Sequence, residues 1–403
     1  MIVIKDKRDC SGCYACKNVC PVKCISMETD DEGFWYPKVD FDRCIECCAC
    51  VIACPVINKY VPDNHPVAYA AKNKDEAVRA ASSSGGVFTA LAEAVLDDGG
   101  VVFGVEYNDD FSVKHSYIEK KEDLGRYRES KYVQSEIKDT HHQLKDFLDA
   151  GRQVLFTATP CQIAGVNNYL NNFRDEPYDN LYTMENICHG VPSPKMWAKY
   201  VEYTRDKQAA NIEKVNFRDK TKGWRDFSVK FDFKNGKNQL KTMDDDPYLF
   251  GFLRNIYLRP ACHRCTEKSL HRKSDITVAD FWGVEHMHPD FNDDKGVSLI
   301  YVNSEQGAKL FDRIRPQLEV IDSDVKQSAR YNVAATHNTK PNKRRAEFFR
   351  DFDTIPFEQL LDEYCRPSDE ERKRKKRQAK IDKVKNVVKR IIHWEKIRAK
   401  IRR

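Results

Sequence analysis

Apolar residues recur along this chain at two spacings, and the switches between them mark strands alternating with helices. From Val67, VAYAA reads as a strand. After the turn SSSGG (Ser82 to Gly86), VFTALAEAVLDD carries apolar residues at helical spacing, and the β-branched run VVFGVEY follows from Val101. SVKHSYIE is a further strand, and RESKYVQS (Arg128 to Ser135) a polar loop. QVLFTATPCQ (Gln153 to Gln162) is a buried strand that stops at Thr159-Pro160 and presents Cys161 at a helix start. LYTMENICHGVPSP (Leu181 to Pro194) repeats the plan: a strand, then Cys188-His189-Gly190, then a helix that opens near Ser193 and runs through Lys207. Strands are expected over 212–217 and 228–233, a helix over PYLFGFLRN, and strands over ITVADFWG (Ile276 to Gly283) and VSLIYVN. This alternation predicts an α/β body, a mixed sheet with helices on its faces. Residues 1–60 form a smaller α+β module in which 25–27 and 34–39 pair as strands, and 61–66, polar with two Pro, is a linker.

Composition changes this picture at the C-terminus. From Arg366 to Arg403 there are 17 Lys or Arg against 5 Asp or Glu, a net of +12 that leaves −6 for residues 1–365 out of the chain's +6. The tail reads as a basic helix with Ile381, Val384, Val388, Ile391 and Ile401 on one stripe. Such a helix either docks on an anionic membrane surface or acidic partner, or stays a solvated extension. The tail's Lys and Arg also raise a zinc or nucleic-acid-binding protein, but a doubled cysteine pattern near the N-terminus argues against it, and no nucleic-acid partner is expected. There is no run of 18 apolar residues and MIVIKDKRDC is charged too early for a secretory signal, so the expectation is cytoplasmic, peripheral at the inner membrane face if the tail docks there. In that compartment thiols stay reduced, and fifteen Cys read as metal ligands rather than disulfides.

Eight of the fifteen fall into one doubled spacing. Cys10, Cys13, Cys16, Cys20 and Pro21 form CxxCxxCxxxCP, and Cys44, Cys47, Cys50, Cys54 and Pro55 repeat it. This is the pattern of two-cluster ferredoxins, in which three thiolates of a run hold one 4Fe-4S cube and the fourth crosses to the other. The expected sets are Cys10, Cys13, Cys16 and Cys54 for one cluster, and Cys44, Cys47, Cys50 and Cys20 for the second. Zinc sites favour two separated pairs and fit less well. Cys24 and Cys48 lie outside the repeat and read as buried small apolar residues.

Cys161, Cys188, Cys262 and Cys265 make a second constellation, with Cys365 set apart near the tail. A CxxC pair plus two thiols at strand ends can hold a third cluster, hold zinc, or include a catalytic or inert thiol, and spacing does not choose among these. SSSGG before a helix offers backbone N–H groups to a phosphate, or only a serine cap.

In this order and at these intervals, SSSGGVFTALA, SKYVQS, TATPCQI, CHGVPSP, CHRC and DITVADFWG resemble the coenzyme F-420 hydrogenase/dehydrogenase beta subunit family over about Val67 to Tyr331, with a two-cluster ferredoxin domain in front. The resemblance implies a flavin-binding region over 67–150 and a region over 151–365 with a third cluster site; the basic tail over 366–403 has no counterpart in the family core. It implies FAD and a third 4Fe-4S cluster, with Cys161, Cys188, Cys262 and Cys265 as its ligands. Ser84, Gly85 and Gly86 would cradle the flavin phosphates, and Lys131, Tyr132, Gln134 and Thr159 would line the flavin. His189 and His263, adjacent to the ligand thiols, are expected to hydrogen-bond a cluster sulfur or backbone rather than to act as ligands, and Asp280 and Trp282, at a strand end, to close the core. Ala158 stands where the family usually has Gly. The function implied is an FAD and 4Fe-4S dependent oxidoreductase passing electrons between clusters, FAD and a two-electron small-molecule substrate. That substrate would be a reduced deazaflavin coenzyme or an organic metabolite, for instance one of polysaccharide biosynthesis. The redox partner would be a ferredoxin or a catalytic subunit. The alternative is an electron-transfer subunit of a larger redox complex with no substrate of its own. No catalytic residue stands out.

Overall fold

The computed structural model describes residues 1–173, 176–374, 377, 378 and 381, so the predicted stripe of the basic tail lies outside the described residues apart from Ile381. In the N-terminal module, Ile25–Thr29 (β1) and Trp35–Val39 (β2) pair antiparallel, as the two apolar pieces predict.

Apolar and β-branched runs make the body's strands: Val67–Asn73 (β3), Val101–Tyr107 (β4), Val113–Ile118 (β5), Val154–Ala158 (β6) and Leu181–Asn186 (β7). Ile212–Asp219 (β8), Ser228–Phe233 (β9) and Asn238–Thr242 (β10) form an antiparallel meander. Ile276–Asp280 (β11), Ser298–Val302 (β12) and Leu318–Ser323 (β13) return to the main sheet, whose order is β13-β3-β12-β11-β7-β6-β4-β5. Its four middle strands, β11, β7, β6 and β4, are parallel, and antiparallel strands flank them on both sides. The mixed α/β sheet is therefore as expected. Strands from 67–150 and from 151–365 lie side by side in it, so these two regions build one sheet.

Alternation along β4 divides the packing. Val102 turns to the face covered by helices Val87–Asp97 and Glu305–Ile314, whereas Val101 and Phe103 turn to the face covered by Thr140–Asp149 and Pro160–Leu170. The module sits on this second face. Its Ile2, Ala15 and Val19 join Ile163, Val166 and Tyr169 of the body in one apolar core. A separate aromatic core under the meander gathers Trp197, Tyr200, Phe231, Tyr248 and Cys365.

Candidate functional site

The doubled cysteine pattern repeats in backbone as well as sequence. Gly12 and Tyr14 in the first run, and Glu46 and Cys48 at the equivalent positions of the second, have φ of 70°, 64°, 54° and 61°. Each run then enters a four-residue helix, Ala15–Asn18 or Ala49–Ile52. These left-handed turns fold the thiols inward. Cys10, Cys13, Cys16 and Cys54 line one small void; Cys20, Cys44, Cys47 and Cys50 line a second. Burial, reinforced by the neighbouring Cys54 and Cys10, pushes the Cys13 thiol up to about 12. Cys24 is buried, its Sγ 3.4 Å from that of Cys20. Cys48 corrects the expectation that it is buried: it is exposed, because it caps a surface helix in the left-handed conformation.

The other four thiols come together from three places. Thr159 closes a capping box with Gln162 at the end of β6, so the helix begins at Pro160 and Cys161 stands in its first turn. Cys188 follows β7, and Cys262 and Cys265 flank the end of a tight turn, Pro260–Arg264. All four line a cavity of about 390 Å³, whose remaining wall includes Ser11 and Pro55 of the module. Burial, then the charges of Cys265 and Cys188, push Cys161 well above the usual thiol range, and burial raises Cys188, Cys262 and Cys265 to about 11. The Val191 and Glu267 amides donate to the sulfurs of Cys262 (3.3 Å) and Cys265 (3.4 Å). Among the described residues, no three His, Cys, Asp or Glu side chains are gathered as the ligands of one ion would be. His263 pairs with the backbone of Thr339 (2.8 Å), and His189 with Asn255 Oδ1 (2.7 Å).

Beyond the carboxyl ends of β4, β6, β7 and β11, where open α/β sheets hold ligands, lies a chamber of about 730 Å³. Ser84, Gly86, Lys131, Tyr132, Thr159 and Ala158 line it. Gly85 sits behind this wall. Its N–H donates to Ser298 Oγ (2.9 Å), and a side chain there would meet the Ala71 carbonyl at 2.4 Å. The serines do not cap the following helix: Gly86 is its N-cap, with φ 84° and no side-chain cap. The Ser82 and Ser84 hydroxyls donate to the carbonyls of Val78 and Val297 instead. The helix therefore opens onto the chamber with its first-turn amides uncapped by any side chain.

Lys131 is half-buried against Tyr107, and burial lowers its pKa to about 8. Gln134 is not in the chamber. It is buried between the module and the body, donating to Ser11 O (3.3 Å) and accepting from Arg259 (3.1 Å). Asp280 and Trp282, expected only to close the core, face the chamber. The thiol-lined cavity and the chamber share a wall: Cys188, His189, Gly190, Val191 and Ala334 border both.

Two arginines that sequence reasoning missed complete the arrangement. Arg259, fully buried, donates to Cys10 O (2.7 Å) and Trp35 O (2.8 Å), approaches Cys10 Sγ at 3.6 Å, and also borders the thiol-lined cavity. Arg218, on β8, borders the chamber. Neither carries a sequence signal, since a single Arg in a strand or loop looks like any surface charge.

Known proteins resemble this chain in sequence. Two models described as coenzyme F420 hydrogenase/dehydrogenase beta subunit, one for its N-term and one for its C terminus, match residues 68–140 and 151–326, more than half of the chain. A 4Fe-4S dicluster domain model matches residues 9–58. The F subunit of F(420)H(2) dehydrogenase from Methanosarcina mazei is 24% identical over 329 residues, spanning 78% of this chain and 84% of that protein. The I 2 subunit of NADH-quinone oxidoreductase from Geobacter metallireducens is 46% identical over 59 residues, 13% of this chain and 45% of that protein. One chain in a structure of the F420-reducing [NiFe] hydrogenase complex from Methanosarcina barkeri aligns over 67% of this chain and 90% of that chain, at 18% identity and a TM-score of 0.46. This chain belongs to the coenzyme F420 hydrogenase/dehydrogenase beta subunit family and carries a 4Fe-4S dicluster domain at its N-terminus.

Proposed function

We propose that the chain is an oxidoreductase that moves electrons between a partner protein, three four-cysteine iron–sulfur sites, FAD in the chamber and a two-electron substrate. The observation that carries this reading is the shared wall: Cys188 to Val191 border both the thiol-lined cavity and the chamber. A one-electron site and a flavin placed there would be neighbours.

The residues fit the groups. Four thiols around a void suit a cube, which spreads its ligands over four irons. At neutral pH, thiols raised this far are poor nucleophiles. Coordination to iron would replace the proton, and the amides of Val191 and Glu267 would then donate to the sulfurs. In the chamber, Gly86 and the first turn of its helix would receive the flavin phosphates, with Gly85 packed behind them and Lys131 adding charge. When bound, FAD supplies the exchange between paired and single electrons. Regions 67–150 and 151–365 serve as two halves of one flavin-binding body, with 1–60 as its wire.

Two substrates suit the reading, a reduced deazaflavin coenzyme and an organic metabolite. The name of the F(420)H(2) dehydrogenase relative favours the first. That name also supports the second reading, an electron-transfer subunit without its own substrate. Anaerobic purification followed by iron, sulfide and flavin assays tests the proposal, with about twelve irons and one flavin per chain expected. About eight irons and no flavin would leave only the N-terminal module standing. Turnover of reduced deazaflavin by the isolated chain separates the two readings.

The chamber's charge adds a pH test. Lys131 is charged below about pH 8 and neutral above it, so FAD affinity falls as pH rises through 8. Lys131→Met removes that step; a step that survives the substitution assigns it to another group.

A further inference from the structure

Arg218 is 4% exposed, yet its guanidinium is satisfied on one edge only. Nη1 donates to Asp280 Oδ2 (2.5 Å) and to the Tyr132 hydroxyl (3.2 Å). Nε and Nη2, which form the opposite edge, have no hydrogen-bond partner. Leaving buried donors unpaired is costly, and a guanidinium is the side chain whose two parallel N–H bonds match a carboxylate or phosphate.

The surroundings hold this edge in place. The guanidinium lies 3.9 Å from the Phe227 ring centre and 5.4 Å from that of Trp282. Asp280 is itself fixed by a 2.9 Å bond from Trp224 Nε1. Arg218 borders the chamber, whose lining carries Arg128, Lys131 and Arg225 besides, against Glu129 and Asp280. The chamber lining thus carries an excess of positive charge, and the unpaired Nε and Nη2 of Arg218 are themselves covered, so an oxyanion reaches them by displacing what lies over them.

We infer that the Nε and Nη2 edge of Arg218 is a bidentate receptor for an oxyanion, a carboxylate or a phosphate, bound in the chamber. This assignment rests on the chamber being the cofactor and substrate site. The oxyanion has two sources, the FAD pyrophosphate or an anionic two-electron substrate. Asp280 and Tyr132 are positioning residues: they occupy the other edge and leave this one free.

Arg218→Lys keeps the charge next to Asp280 but cannot present two parallel donors. In cluster-loaded protein stripped of flavin, FAD, riboflavin and inorganic pyrophosphate are titrated in turn, and acetate and inorganic phosphate are titrated into FAD-loaded protein and followed by flavin absorbance. Losing two charge-assisted bonds lowers the affinity of the oxyanion roughly 10- to 100-fold. If FAD and pyrophosphate weaken while riboflavin does not, the oxyanion is the flavin's. If FAD is unchanged while acetate or phosphate weakens, it is the substrate's. If wild-type protein takes no flavin but binds pyrophosphate in an Arg218-dependent way, the flavin reading fails and the receptor stands. Wild-type affinities for all five probes in the variant, or no binding of any of them to wild-type protein, overturn the inference. Iron content and melting temperature report folding. Should Arg218→Lys fail there, the double variant R218M/D280N removes both charges of the pair and is read in the same way.

Discussion

The two halves of the N-terminal module share one cysteine spacing and the same left-handed turns, yet they face different surroundings. In the inner half, Tyr14 and Cys16 are buried, and Arg259 and Gln134 of the body press against Gly12 and the carbonyls of Cys10 and Ser11. In the outer half, Cys47 and Cys48 are exposed, as are Phe41, Ile45 and Ile52. Repetition sets the local geometry of the thiols. Packing against the body then gives the module a direction: Ser11 of the first run and Pro55 at the end of the second border the cavity of Cys161, Cys188, Cys262 and Cys265, whereas Cys44 to Cys50 do not line it.

The strongest test of that polarity is Arg259→Met. The substitution removes a buried guanidinium that joins Cys10, Trp35 and Gln134 and lies 4.4 Å from the Tyr36 ring centre. Three acceptors lose their donor, so chemical denaturation should show a loss of about 3 kcal/mol or more. The outer counterpart, Arg43→Met, removes one exposed bond to Val22 O and should stay within about 0.5 kcal/mol. Equal losses would mean that the body does not distinguish the two halves.

A smaller effect of opposite sign is expected at the equivalent turn positions. At Gly12, φ is 70° and a Cβ would lie 2.8 Å from both Arg259 Nη1 and Gln134 Nε2. Gly12→Ala therefore adds left-handed strain to a clash with a fixed side chain, costing about 1–2 kcal/mol. Glu46, at φ 54° in the outer half, already bears that strain at the protein surface. Glu46→Gly relieves it, and the greater freedom of Gly in the unfolded chain offsets part of the gain, leaving less than about 1 kcal/mol in the stabilising direction. Destabilisation by Glu46→Gly would show that a carboxylate contact matters more there than the backbone.

The contrast also marks what the sequence makes legible. Short near-continuous apolar runs identify the buried strands, such as β6 and β12, every residue of which is buried. They miss β10, which is polar and has no fully buried residue, and β13, whose pairing with β3 joins segments more than two hundred residues apart. Cysteine spacing places the thiols because short turns are local. It gives no information on the outside of the turn, so Cys48 reads as buried. The resemblance sets Gln134 at the flavin with Lys131 and Tyr132 of the same SKYVQS motif, but a loop has no periodicity to show that its residues turn to opposite sides. Arg218 and Arg259 owe their roles to tertiary neighbours alone.

The smallest effect on stability, and the sharpest on function, is expected at Ile45. Ser11 and Ile45 occupy the same position after the first cysteine of each run, but Ser11 borders the inner thiol-lined cavity whereas Ile45 is 61% exposed. An exposed apolar side chain beside Cys44 contributes little to folding, so Ile45→Ser should leave the midpoint of unfolding within about 0.5 kcal/mol of wild type. Loss of one apolar contact at a docking surface is worth about 1 kcal/mol, or roughly fivefold. Reduction by a one-electron partner protein, followed at limiting partner concentration, should slow by that factor, and saturating partner should restore the rate. Reduction by dithionite, which needs no protein docking, should be unchanged. Ser11→Ala should slow neither reaction through partner affinity. If Ser11→Ala weakens the partner and Ile45→Ser does not, electrons enter elsewhere and the direction assigned to the module is reversed.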